Sequence, residues 1–255
     1  DDGFTLQSSP EFEQLTAAAV ADVVQKQRDA GITQVGDGEF GKAMSNAVDY
    51  GAWWSYSFQR AAGLSLTEVN AFNEPPVRSA PGNIQLTSFL DRRDRHIFPA
   101  VYAEAVDAGQ GATGFPTTTG PITYRGQEQV AADIRHITAA LRPGEQGFLT
   151  AIAPGSAARV PNEFYSSDED HLAAWSDALS VEYRAITDAG LVLQLDDPFL
   201  CESWDQVNPE PAVNDYLDLI ALRIDAINRA IEGLPRELVR LHLCWGNYAG
   251  PHHHD

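Results

Sequence analysis

Apolar and polar positions along the chain follow two rhythms, and the two alternate. In "SSPEFEQLTAAAVADVVQKQR" the apolar residues Leu15, Ala18, Ala19 and Val23 recur at helical spacing, which predicts a helix burying that stripe. Ser9 offers an N-cap oxygen, Pro10 suits the first helical position, and Glu11 and Glu13 complement the positive end of the helix dipole. Similar periods run through "GQEQVAADIRHITAALRPG", "SSDEDHLAAWSDALSVEYRAIT" and "EPAVNDYLDLIALRIDAINRAIEG". The second of these opens with Ser167-x-x-Asp170, close to a capping box, and the third closes on Gly233. Between the helices lie short β-rich runs: "ITQVGDGEF", "GATGFPTTTGPI", "GFLTAIAPG", "LVLQLDDPF" and "VRLHLCWGN".

Strands alternating with helices build βα units and a parallel sheet. Three joints read alike: Asp29-Ala30-Gly31, Asp107-Ala108-Gly109 and Asp188-Ala189-Gly190 each end a helix on a glycine that tolerates positive φ. The polar residues gather late in the strands or just after them: Asp37 and Glu39, Thr117 to Thr119, Ser156, Asp196 and Asp197, and His242 with Cys244. A (β/α)8 barrel builds its site at those carboxyl ends. A doubly wound sheet would use the same edge, but no GxGxxG or P-loop follows a strand here. The expected fold is α/β of the TIM-barrel type, as a single domain over residues 1–255. Residues 50–100, aromatic and proline-bearing, read as a long βα insertion over the barrel mouth. Its Trp53, Trp54, Tyr56 and Phe58 serve either a substrate lid or a flap packed on the barrel.

Composition narrows the field. The formal net charge of −19 repels phosphate backbones, which argues against nucleic-acid binding. No apolar run reaches the roughly 18 residues of a membrane span. Two cysteines make no disulfide framework, so a reduced, cytoplasmic setting is expected.

Residues two apart in a strand share a face, so His242 and Cys244 can point together into a barrel mouth. Both are zinc-type donors. A buried cysteine beside a hydrogen-bonded histidine would give the same pattern. Asp37, Glu39, Asp196, Asp197 and Glu202 would bring several carboxylates to that mouth, where a metal, a substrate ammonium or arginine must balance them. Capping of the following helices is the plainer role for Asp37 and Asp196.

The motifs "VGDGEFGK", "TTTGPIT", "APGSAARVPNEFY", "QLDDPFLCE" and "HLCWGNYAGPHHHD" resemble, in order, those of the cobalamin-independent methionine synthase family. The likeness extends to its short single-barrel members, which include epoxyalkane:coenzyme M transferase. The resemblance implies a barrel in which zinc binds a substrate thiol and the sulfur then takes a methyl or other alkyl group. The acceptor it implies is homocysteine or a thiol like coenzyme M. The donor in methionine synthases is a methylated folate, 5-methyltetrahydropteroyltriglutamate. By motif position, His242 and Cys244 match the first two zinc ligands. Glu39 and Asp196 match residues that contact the amino-acid part of homocysteine, and Glu202 a folate-contacting glutamate. The family's D-E-P turn appears as Asp196-Asp197-Pro198, and Gln127 stands near the place of an aromatic residue that stacks on the pterin.

The family's remaining zinc ligands, a glutamate and a cysteine, come after the His-x-Cys. The chain therefore reads as an incomplete barrel, one strand short at the front and about two at the back. His252, His253 and His254 are candidate substitute ligands or simply line the mouth, and Cys201 reads as a packed thiol. Arg92, Arg93 and Arg95 form either a solvated helix start paired with Asp91 and Asp94 or a clamp for a substrate anion. Two other classes stay open: a barrel enzyme performing metal-assisted hydrolysis or decarboxylation, and a non-catalytic fragment that keeps the fold.

Overall fold

A computed structural model describes residues 9–42, 52–68, 74–104 and 115–244. In chain order its elements are α1 (Pro10–Asp29), β1 (Gln34–Gly36), α2 (Ala52–Gln59), β2 (Ala61–Thr67), α3 (Arg93–Ile97), α4 (Pro99–Glu104), β3 (Phe115–Tyr124) and α5 (Gln127–Ala140). There follow β4 (Gln146–Ile152), α6 (Pro154–Ala157), α7 (Asp168–Asp188), β5 (Val192–Asp196), α8 (Phe199–Glu202), α9 (Val213–Ala230) and β6 (Val239–His242).

Local signals place the main helices. Ser9 accepts from the Phe12 amide at the head of α1, and Ser167 accepts from the Asp170 amide at the head of α7. Gly31 and Gly190 take φ of +83° and +75° where the chain turns from helix to strand. The third such joint, around Gly109, lies outside the described residues. The buried stripe of α1 is Thr16, Val20 and Val24, while Leu15 is 64% exposed. The expected stripe was therefore misplaced by about one residue. Periodicity fixes the spacing of a stripe, but the partners, here α5 and β1, choose its phase.

Strands β1, β4, β5 and β6 form a parallel sheet in the order β1-β4-β5-β6. Its side chains alternate between two faces. One face carries Val35, Leu149, Ala151, Leu193 and Leu195 into a core shared with Ile137, Trp175, Tyr183 and Ile186 of α5 and α7. The other carries Gln34, Phe148, Thr150, Gln194 and Arg240: Arg240 donates to Gln194 at 2.8 Å and to Gln34, and lies 4.0 Å from the Phe148 ring centre. Gly36 opposite Phe148 is a space requirement, since a Cβ there would stand 2.6 Å from the ring.

The described residues contain this parallel sheet but no closed barrel. Strand β3 was expected in the parallel sheet; instead it pairs antiparallel with β2, a strand inside the region read as an insertion. The hairpin is tied to the helices by a buried polar network. Arg60 binds Asp133 of α5 at 2.5 Å and reaches Glu182 of α7 at 3.5 Å. Tyr124 donates to Glu182 at 2.5 Å, and Tyr56 donates to it as well. Tyr56 and Phe58 are core residues, 2% and 1% exposed, so these two aromatics pack as a flap would. The side chains of Trp53 and Trp54 lie outside the described residues.

Arg92 and Arg93 are not a solvated helix start. Arg92 pairs with Asp94 and Glu202, and Arg93 donates to the Trp204 and Val207 carbonyls and to Glu210, fastening residues 74–104 to residues 199–210. Arg95 packs over the Tyr102 ring at 4.5 Å. Arginine's fork of donors suits such clamps, in which it binds backbone and carboxylate together.

Candidate functional site

Parallel strands deliver their following residues to one edge of the sheet. Ile152, Asp196 and His242 are in register across β4, β5 and β6 at that edge. His242 Nδ1 bonds Asp196 Oδ1. With Asp196 ionised, Nδ1–H donates and the ring's lone pair sits on Nε2, the arrangement in which a carboxylate orients a metal-binding imidazole. Burial pushes the Asp196 carboxyl above its usual range, and the neighbouring His242 opposes that shift. Backbone bonds close the edge: the Ala153 amide donates to Asp196 and the Asp197 amide to His242, both at 3.0 Å. Cys244 follows β6 two residues on and is half-buried.

Glu39 reaches the same edge from the turn after β1. Asp37 Oδ1 accepts the Glu39 amide at 3.0 Å, and the Glu39 carbonyl accepts the Lys42 amide at 2.9 Å. Asp37 thus caps a tight turn and not a long helix. Burial pushes its carboxyl upward, with Lys42 opposing. Glu39 takes φ of +62°, uncommon for a residue with a side chain. Its Oε1 accepts from Thr150 Oγ1 at 2.8 Å, and Thr150 in turn accepts from Lys42 Nζ at 2.7 Å. Lys42 and Thr150 were missed in the sequence. Only the position of Lys42, three residues after Glu39 in a glycine-rich turn, hinted at it.

The remaining expected site residues have structural partners. Glu202 bonds Arg92 and, at 2.5 Å, Arg159; burial works against ionisation there, but Arg159 and Arg92 outweigh it and hold the carboxyl below its usual range. Ser156 donates to Asp197 Oδ1 at 2.7 Å and accepts the Phe199 amide. Asp197 is fully buried, its Oδ2 has no partner among the described residues, and burial raises its pKa to about 6. Burial also raises the Cys201 thiol, with Asp197 and Cys244 adding to the effect. Thr117 and Thr118 are buried, and Thr118 bonds His171, a histidine that burial lowers to about 4.

Zinc requires three or four protein donors. Among the described residues no three His, Cys, Asp or Glu side chains converge as a metal site. His242 and Cys244 carry donor atoms of the types that zinc takes, and His252, His253 and His254 lie outside the described residues. No described helix is long and apolar enough to cross a membrane.

No family profile and no curated protein matches the sequence. Among solved structures the chain is similar to a B12-independent methionine synthase from a Shewanella species, in complex with selenomethionine. The identity is 21% and the TM-score 0.59, over 94% of this chain and 54% of that one. A putative vitamin-B12 independent methionine synthase from Listeria monocytogenes is similar at 18% identity and TM-score 0.56, over 92% of this chain and 56% of that one. The chain spans about half the length of these structures, and at these identities the likeness is one of fold.

Proposed function

We propose that this chain carries the thiol-binding edge of a transferase that moves a methyl or other alkyl group onto a substrate thiol, with homocysteine as acceptor. The observation that carries the reading is the Asp196–His242 pair, in register at the carboxyl edge, with Glu39 near enough to act on Asp196 and Cys244 two residues beyond His242. The fold shared with two methionine synthases supports it.

His242, through Nε2, and Cys244, through Sγ, would hold zinc. Zinc, when bound, lowers the pKa of a thiol and keeps it as the nucleophilic thiolate. Asp196 fixes the tautomer and direction of the His242 ring. Glu39 and Asp196 offer carboxylate oxygens to a substrate ammonium, whose charge balances an edge otherwise rich in acid. Methylated folate is the donor proposed by analogy with the motif order. Glu202, held by two arginines, would meet it through the clamp and not as a lone carboxylate.

Assaying the intact protein for thiol alkylation, with metal analysis of the same samples, tests this. Cys244→Ser is expected to lose zinc and alkylation together, and Cys201→Ser to keep both. Equal losses from the two substitutions would mean that the thiols serve packing.

A further inference from the structure

Among the described residues the carboxyl edge brings together the carboxylates Asp37, Glu39 and Asp196 and a buried cation, Lys42, which is 4% exposed. A buried lysine is costly unless its charge is paired and hydrogen-bonded. Its Nζ donates at 2.7 Å to Thr150 Oγ1, on the polar face of β4, and that hydroxyl donates onward at 2.8 Å to Glu39 Oε1. Lys42 is also held 5.3 Å from the Tyr56 ring centre, and Tyr56 is bonded to Glu182 of α7. Thr150 is 6% exposed and pairs with Gln194 of β5 within the sheet. The turn bearing Glu39, at φ of +62°, has little stiffness from its own backbone preference.

We propose that Lys42 and Thr150 are positioning residues for Glu39: the Lys42–Thr150–Glu39 relay fixes the carboxylate where it takes the ammonium group of the thiol substrate. A hydroxyl polarised by an ammonium donates more strongly, and anchoring that hydroxyl in a strand transfers the sheet's rigidity to a strained turn. The relay rests on the thiol-transfer reading above and adds to it a source of selectivity. Thiols that carry an ammonium depend on the relay, and thiols without one do not.

With 5-methyltetrahydropteroyltriglutamate as the methyl donor, the test compares kcat/KM of the intact protein for homocysteine and for 2-mercaptoethanol, a thiol with no ammonium. Thr150→Val removes the hydroxyl and keeps a β-branched residue in β4. The ratio of the two kcat/KM values is expected to fall about tenfold, the worth of one charge-assisted hydrogen bond, chiefly through KM for homocysteine. Thr150→Ser is expected to restore the ratio. Should Thr150→Val fail to fold, Lys42→Met carries the same expectation, with Lys42→Arg as the partial rescue. A fall shared equally by both thiols would make the relay merely structural and overturn the proposal, as would an unchanged ratio. A wild-type protein that alkylates neither thiol would instead overturn the thiol-transfer reading, and the relay's role with it.

Discussion

On the face of the parallel sheet turned to the helices, Val35, Leu149, Ala151, Leu193 and Leu195 are each at most 1% exposed. On the other face Arg240 bonds Gln194 on the neighbouring strand and Gln34 on β1, His242 bonds Asp196, and Thr150 bonds Lys42 and Glu39. The same few residues of strand therefore do two jobs at a period of two. The apolar face secures the fold without direction, because hydrophobic burial is roughly proportional to area. The polar face fixes direction, because each hydrogen bond demands a partner at a set distance and angle. A site needs the second property, and it stands where the polar rows run out at the carboxyl edge.

Substitutions on the two faces should differ in kind. Leu193→Ala on the apolar face is expected to cost about 3 kcal/mol in denaturant unfolding, while leaving thiol selectivity as it was. A loss below about 1 kcal/mol would mean that this face is not the sheet's main anchor.

Asp197 is the carboxylate that the apolar side buries. Its folded pKa of about 6 lies above the unfolded value, so its contribution to stability is present below about pH 4 and is lost as pH rises through about 6. Asp197→Asn should therefore gain on the wild type by about 2 kcal/mol between pH 4 and pH 7. Unfolding curves at the two pH values check this, and a gain independent of pH would contradict it.

On the polar face, Gln194→Leu should cost only about 1 kcal/mol, since Arg240 keeps Gln34 as a partner. A loss as large as that of Leu193→Ala would erase the distinction between the faces.

Much of this arrangement was legible in the residues. Ser9 and Ser167 announced their helices because a cap is a local device, read over four residues. The gathering of Glu39, Asp196 and His242 followed from parallel strands ending at one edge. Partners distant in sequence were not legible. Strand β3 shows a β-rich run and nothing that tells antiparallel from parallel pairing. Thr150 in "GFLTAIAPG" looks like an ordinary β-branched strand residue until Lys42 and Glu39 arrive beside it. Arg92 and Arg93 read as solvated or ligand-binding because, apart from Asp94 beside Arg92, their partners Glu202, Trp204, Val207 and Glu210 lie more than a hundred residues away.

The central claim is that the polar face ends in a thiol-binding metal edge built on His242 and Cys244. X-ray absorption at the zinc edge of the intact protein, with and without homocysteine, tests it most directly. The account predicts nitrogen at about 2.0 Å and sulfur at about 2.3 Å, loss of the bound zinc in Cys244→Ser, and one further sulfur when homocysteine is added. A zinc shell that is the same in Cys244→Ser, or that gains no sulfur with homocysteine, would contradict it.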